Sequence, residues 1–330
     1  MLVKTLACGI CGSDLHALHH MEHMIETSRR ASGGGDGGPM GGGFDPTADT
    51  VFGHEFCAEI LEHGPGTTGL LKPGTRVVSV PATITGTGVE LLGYSNNLPG
   101  GFAERMILSE MMLLEVKNGL PTDQAALTEP FAVGAHAVAK ARLDKDSVSL
   151  VIGCGPVGLA VIAGLKAKGH GPVIAADYSP RRRAAAEMLG ADLVIDPAAE
   201  PARPVGGLRR PHGSRRPEHG AHDGQDLRPT RGLRVRRLAG HPAAPDRGQP
   251  RRQPDRRRRR LHGDRQDRAG HRHHQGDRAD LRVRLFPEEF ARTLHQISEG
   301  VIDVSRVVTG KVGLSEVAQA FVTLGDPDPT

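Results

Sequence analysis

The distribution of apolar residues divides the chain into regions of different period. Between Ser147 and Asp177, the residues Val148, Leu150, Val151 and Ile152 form a largely β-branched run that predicts a buried parallel strand. Gly153-Cys154-Gly155-Pro156-Val157-Gly158 follows directly. Helical periodicity then runs from Leu159 to Lys168, and a second apolar run, Val173 to Ala176, stops at Asp177. Upstream, short strands alternate with polar turns: Leu2–Leu6, Gly53–Ile60, Gly74–Val80 and Gly100–Leu108. That pattern predicts a β-rich first unit. Pro121–Leu143 is helical in pattern, with Thr122 as its N-cap. Residues 17–50 contain the glycine-rich string Arg29–Gly43, which reads as a flexible loop; His19, His20 and His23 nearby read as solvated rather than metal-bound. From Pro201 to Val283 neither period is present.

Strand, glycine turn, helix, strand and terminal acid is the order that a dinucleotide site requires. Gly153 permits the tight turn, Gly155 lets backbone N–H groups approach a pyrophosphate, and Gly158 lets the helix lie close to the sheet. Pro156 and Val157 open that helix, whose unpaired donors and partial positive charge face the phosphates. Asp177 lies 19 residues after Gly158, where its carboxylate accepts both ribose hydroxyls and repels a 2′-phosphate. NAD is therefore expected over NADP. Arg181, Arg182 and Arg183 are near enough for a 2′-phosphate but read as the charged face of the next helix.

A chain of 330 residues has room for two domains. Its four cysteines form no paired C-x-x-C set, which argues against a disulfide framework and for a reducing compartment. No signal peptide and no apolar run of membrane length are visible, so a cytoplasmic location and no membrane partner are expected. The net charge of +4 averages two unlike parts. Residues 201–283 hold 23 arginines against 9 acids, or +14, and the remainder holds 19 basic against 29 acidic residues, or −10.

A thiolate, an imidazole and carboxylates can hold a zinc ion open on one side, where an alcohol oxygen binds and loses its proton. Cys11, His54, Glu55 and Glu129 supply those ligand types from separate loops. Spacing alone leaves ordinary alternatives open: Cys11 as a small buried residue, His54 as a hydrogen-bonded core histidine, Glu129 as an acid at a helix start.

The strings CGICGSDLH, GHEFCAEI, GGFAE, LTEPFAVGAHAV and VIGCGPVGL stand in the order found in the medium-chain, zinc-dependent alcohol and polyol dehydrogenases. The chain resembles that family over most of residues 1–200 and again from Phe286 to Pro327. The resemblance implies an α/β protein with a GroES-like, β-rich catalytic domain over residues 1–130, its N-terminal strands missing. Residues 131–200 would form the first half of a doubly wound Rossmann NAD-binding domain, and residues 286–330 would return to the catalytic domain. Cys11 and His54 are implied as zinc ligands, with Glu55 and Glu129 ligating directly or through water. Ser13 would take the substrate hydroxyl proton and His16 would pass it outward, while Asp14 would orient a zinc ligand. Cys8, Cys57 and Cys154 are expected to be structural. Val80–Pro99 contains no cysteine, so the four-cysteine structural zinc lobe of many relatives is absent and a single zinc is expected. The implied reaction moves a hydride between an alcohol, or the corresponding aldehyde, and NAD. The family forms homo-oligomers, often through the edge strand of the nucleotide domain.

Residues 201–285 do not fit that scheme. Between 201 and 283 there is no Ile, Phe, Tyr, Met, Cys or Lys, and there are nine Val or Leu in all. Such a segment cannot bury enough apolar area to offset its ordering entropy and is expected to be disordered, leaving the second half of the Rossmann sheet missing. Its charge alone would permit a nucleic-acid-binding tail. Its position favours a shifted reading frame: read from the second base of each codon, Arg-Arg pairs become Val, Ala, Gly or Asp. Gly232–His241 then permits an apolar strand ending in a glycine turn, and Arg257–Leu285 permits another. On this reading the chain is a damaged copy of a zinc alcohol dehydrogenase, with an ending that precedes a last strand. The rival readings are a zinc-free, quinone-reductase-like oxidoreductase and a protein whose basic segment contacts nucleic acid.

Overall fold

A computed structural model describes residues 1–31, 44–86, 88–199, 232–235 and 287–325. The first unit contains β1 (Leu2–Gly9), α1 (Gly12–Ala31), β2 (Glu55–Glu62), β3 (Arg76–Ser79), β4 (Ala82–Thr85), β5 (Gly88–Leu91), β6 (Arg105–Ile107) and β7 (Leu113–Glu115). Five of these strands form an antiparallel sheet in the order β6-β1-β2-β3-β7, and β4 and β5 form a separate hairpin. Val3, Phe56, Ala58, Ile60, Val77, Met106 and Leu108 are buried in one cluster beneath the sheet.

Two helices follow, α2 (Thr122–Ala126) and α3 (Thr128–Lys140). The helix expected over Pro121–Leu143 is thus broken at Leu127, and Pro121, not Thr122, occupies the N-cap. The Thr122 hydroxyl instead accepts a hydrogen bond from Arg76 at 3.1 Å. The β-α-β unit comes next: β8 (Val148–Ile152), α4 (Pro156–Ala167) and β9 (Val173–Ala176), then α5 (Pro180–Met188) and β10 (Leu193–Ile195). Both strands have the bounds that the apolar runs predict, and the helix begins at the proline.

One strand of the sheet comes from the arginine-rich segment. β11 (Gly232–Val235) lies parallel to β8, giving the order β10-β9-β8-β11. Composition predicted nothing ordered there. Sheet pairing uses backbone groups, so the open edge of β8 accepts a short segment whatever its charge. The rest of the expectation for residues 201–285 lies outside the described residues.

Residues 287–325 supply α6 (Pro287–Ser298) and α7 (Val317–Gly325). Phe290, Leu294 and Ile297 of α6 share one core with Phe131 and Ala132 of α3, Ala160 and Ala163 of α4, and Cys57 and Val78 of the antiparallel sheet. The pattern that resumes near Phe286 therefore packs back onto the first unit. Helix α3 joins this core to the nucleotide turn. A Cβ at Gly134 would stand 2.6 Å from the backbone carbonyl carbon of Ala160 and 2.8 Å from the Val161 nitrogen, so α3 and α4 touch backbone to side with no room for a methyl group. Among the described residues no helix is long and apolar enough to cross a membrane.

The close approach at Gly134 is testable. Gly134→Val forces α3 away from α4 and is expected to cost about 1–3 kcal/mol, read as a lowered melting temperature. An unchanged melting temperature would show that the two helices do not pack as described.

Candidate metal centre and nucleotide turn

The centre is assembled by strand register. β1 and β2 run antiparallel with Cys8 opposite Phe56 and Gly9 opposite Glu55. A Cβ at Gly9 would collide with the Glu55 carboxylate, so glycine is what allows Glu55 to lie across the end of β1. Cys11 then caps α1. The Asp14 carboxylate, in the first turn, reaches back to accept the Cys11 backbone N–H at 3.1 Å, which is half of a capping box and fixes Cys11 against the helix start.

His54 is held from behind by glycine backbones. Gly53 has φ +98°, and a Cβ there would lie 2.8 Å from the Phe102 nitrogen and 2.9 Å from Cys8 Sγ. Gly101 N–H donates to Gly53 O at 2.7 Å, and Phe102 N–H donates to Phe52 O at 3.0 Å. The string GGFAE, expected as part of a strand, is here a turn clamped on the chain before His54. Strand pairing begins only at Arg105. Cys8 packs inside this clamp and is no part of the donor cluster, while Cys57 and Cys154 are fully buried elsewhere. Burial raises both of those thiols to about 11, which suits inert packing.

Donor atoms of Cys11, His54 and Glu55 all lie within 4.8 Å of one another. Around zinc, with bonds of about 2.0–2.3 Å, tetrahedral donors stand roughly 3.3–3.8 Å apart, so a small contraction completes the set. His54 Nδ1 is 3.2 Å from Asp14 Oδ1, without the alignment of a directed hydrogen bond. His54 Nε2 is 3.4 Å from Ser13 Oγ. Burial alone would lower the imidazole; the Asp14 carboxylate, the Cys11 thiol and the neighbouring Tyr94 outweigh it and hold His54 well above its ordinary value. Burial raises both Cys11 and Glu55. The three donors are thus crowded together, and a thiol, an imidazole and a carboxyl group at this separation are a donor set that a divalent ion would suit.

Tyr94 went unread in the sequence. Its hydroxyl donates to Ser13 Oγ at 2.8 Å and lies 3.4 Å from Asp14 Oδ1, and its ring centroid is 5.4 Å from that of His54. It is one of two tyrosines in a chain with 3% aromatic residues, and that scarcity was the available signal. His16, on the next turn of α1, has its ring 5.0 Å from that of His20. α1 itself continues to Ala31, three residues into the string expected as a loop from Arg29; His19, His20 and His23 are exposed on it, and the rest of that string lies outside the described residues.

At the nucleotide turn Gly153 has φ +91°, and a Cβ on Gly158 would strike the Gly153 carbonyl oxygen. Gly158 is therefore required by the turn's own backbone, a closer constraint than the helix–sheet contact expected of it. Nothing lies within 4 Å of a Cβ at Gly155, which faces open space at the N-cap of α4, ahead of Pro156 and Val157. The Asp177 carboxylate accepts the Cys154 N–H at 2.7 Å and the Ser179 N–H at 2.8 Å, pinning the end of β9 to the turn. Each oxygen keeps a second lone pair for a ligand. Arg183 is bound to the Asp177 and Tyr178 carbonyls and to Asp196.

Glu129 is not among the donors that lie within 4.8 Å of one another, but it is close enough to feel the charges of His54, Glu55 and Asp14. It sits in the first turn of α3, 7% exposed, and burial raises it to about 8, with Glu55 and Asp14 adding to the effect and His54 opposing it. Folding favours the protonated acid, so this stabilisation is complete below about pH 4.5 and is lost as pH rises through about 8. Melting of metal-free protein is expected to fall across that window, and Glu129→Gln is expected to flatten the fall. Identical pH slopes in the two proteins would contradict this placement of Glu129.

Residues 1–118 match the alcohol dehydrogenase GroES-like domain family. The chain is 36% identical over 214 residues to (R,R)-butanediol dehydrogenase of Bacillus subtilis, covering 59% of this chain and 56% of that protein. It is 31% identical over 222 residues to erythritol/L-threitol dehydrogenase of Mycolicibacterium smegmatis, covering 62% and 58%. The crystal structure of 2R,3R-butanediol dehydrogenase from Bacillus subtilis aligns at 33% identity over 60% of this chain and 56% of that one, with a TM-score of 0.46. The chain spans about half the length of the curated relatives it matches. Residues 1–118 thus carry the alcohol dehydrogenase GroES-like domain, and over about 60% of its length the chain is similar to alcohol and polyol dehydrogenases.

Proposed function

We propose that this chain descends from an enzyme that moves a hydride between a small alcohol or polyol, or the matching carbonyl compound, and NAD. The observation that carries the reading is the meeting of half-buried Cys11 with buried His54 and Glu55 in one cluster. The donor set suits zinc: a soft thiolate, an imidazole and one carboxylate leave a fourth position for substrate oxygen. When bound, zinc supplies Lewis acidity to the alcohol oxygen and the nicotinamide takes the hydride.

The remaining work falls to this chain's own residues. Asp14 Oδ1 stands 3.2 Å from His54 Nδ1 and would orient the ring, with Nε2 beside Ser13 Oγ. Ser13, held by Tyr94 beside His54, is placed to take the substrate hydroxyl proton, with His16 one turn further along α1 to carry it outward. The N–H groups opening α4 at Val157 and Gly158 hold a pyrophosphate, and open Gly155 lets it approach. Asp177 supports NAD over NADP. A single zinc per chain is expected, since Val80–Pro99 holds no cysteine for a four-cysteine structural site. A cytoplasmic setting accords with four free cysteines, and a homo-oligomer accords with the family.

As written, the chain is a damaged copy, its residues 201–285 encoded in a shifted frame. The part of the sheet that should cover the nicotinamide end is expected from that segment, where β11 alone is described. Purified full-length protein is therefore expected to show no turnover of vicinal diols with NAD. Measurable turnover would remove the claim of damage and leave the family reading intact.

Zinc analysis tests the site itself. The full-length chain is expected to hold one tightly bound zinc, Cys11→Ser to lose it, and Asp14→Asn to bind it roughly 10–100-fold more weakly. Zinc retained at full affinity by Cys11→Ser would refute the assignment.

A further inference from the structure

The chain holds three asparagines, Asn96, Asn97 and Asn118, and of these Asn118 precedes a glycine. Lys117-Asn118-Gly119-Leu120 turns the chain between β7 and α2. Here φ is +57° at Asn118 and +66° at Gly119, and the Leu120 N–H donates to the Lys117 carbonyl at 3.2 Å. Two successive positive φ values closed by that bond are the pattern of a type I′ turn, for which Asn-Gly is a favoured pair. The turn's bond does not use the Gly119 nitrogen. Asn118 and Gly119 are exposed, and nothing lies within 4 Å of a Cβ at Gly119. Asn118 is also a fastener. Its Nδ2 donates to Glu299 Oε1 at 2.6 Å, across 181 positions of sequence, just past the end of α6. Val116 and Leu120, on either side of the turn, are buried in the core that holds Ile297 and Ile302. The Leu120 carbonyl accepts a bond from Arg76 Nη1 at 2.8 Å.

We propose that Asn118 is a site of spontaneous covalent modification, converting to aspartate and isoaspartate by deamidation. The Gly119 backbone nitrogen attacks the side-chain carbonyl carbon of Asn118. The new nitrogen–carbon bond closes a succinimide, the bond from that carbon to Nδ2 breaks, and the Gly119 proton leaves with Nδ2 as ammonia. Water then opens the ring at either carbonyl, so no oxidant or second substrate is needed. Glycine favours the attack because no side chain stands beside the attacking nitrogen. Asn96 and Asn97 lack that advantage, being followed by Asn97 and Leu98, and the Asn96 amide donates to the Asp45 carbonyl and to Thr50. Either product undoes the fastener. An aspartate at position 118 sets a like charge against the Glu299 carboxylate, where an amide now donates. Isoaspartate adds a methylene to the main chain between Val116 and Leu120, which displaces Leu120 from the core.

Timed peptide mapping of the full-length chain at mildly alkaline pH tests the site, with the free peptide LEVKNGLPT, residues 114–122, as its clock. Asn118 is expected to convert on the peptide's timescale to a mixture of aspartate and isoaspartate, while Asn96 and Asn97 remain amides. Asn118 still intact after several half-lives of the peptide overturns the proposal, and so does equal conversion at Asn97. The structural consequence is read separately. Asn118→Asp is expected to melt at a lower temperature than the unaltered chain. That loss is expected to shrink in a Glu299→Gln background, where the glutamine amide donates to the new carboxylate. An equal loss in both backgrounds, or none in either, overturns the claim that the modification opens the contact with Glu299.

Discussion

The pairing of β1 with β2 is the constraint on which the rest depends. Its register sets Gly9 under Glu55 and brings Cys11, two residues beyond the end of β1, to the residue that precedes β2. Glycine backbones make the pairing possible from both sides. Gly9 leaves room for the Glu55 carboxylate, while Gly53 and Gly101 close on each other with no space for a side chain. A one-residue slip would turn every side chain of a strand to the other face and scatter the donors.

Having assembled the cluster, the fold leaves it electrostatically incomplete. Cys11 and Glu55 are raised by burial, and Glu129 is pushed to about 8 nearby. Deprotonating these groups in place is costly without a cation, so a metal binding there would release protons as it bound. Glu129 also ties this chemistry to the nucleotide turn. It begins α3, whose Gly134 rests on α4, the helix that starts at that turn. The two functions are thus linked by one helix and not by a flexible connection.

Local motifs were legible where the backbone itself is the function. The turn from Gly153 to Gly158 was readable because positive φ and close approach leave glycine as the usual solution, and its flanking strands are short and strongly apolar. Thr122 as a cap and the strand from Gly100 differ from what the local pattern predicts. In each case the deciding partner is distant in sequence: Arg76 for Thr122, and the Gly53 backbone for Gly101. Tyr94 was invisible for the same reason, since Ser13 lies 81 residues away.

What the sequence alone determined is the kind of chemistry. The order of its motifs, the soft and hard donors among them, and the abrupt change of composition at Pro201 are all properties of a string and need no coordinates. Tertiary structure decided which donors meet. Cys11, His54 and Glu55 converge, because convergence depends on strand register and on glycine contacts between segments far apart in the chain. It also decided that Gly232–Val235 joins the sheet, since pairing at an open edge is made by backbone groups that composition does not record.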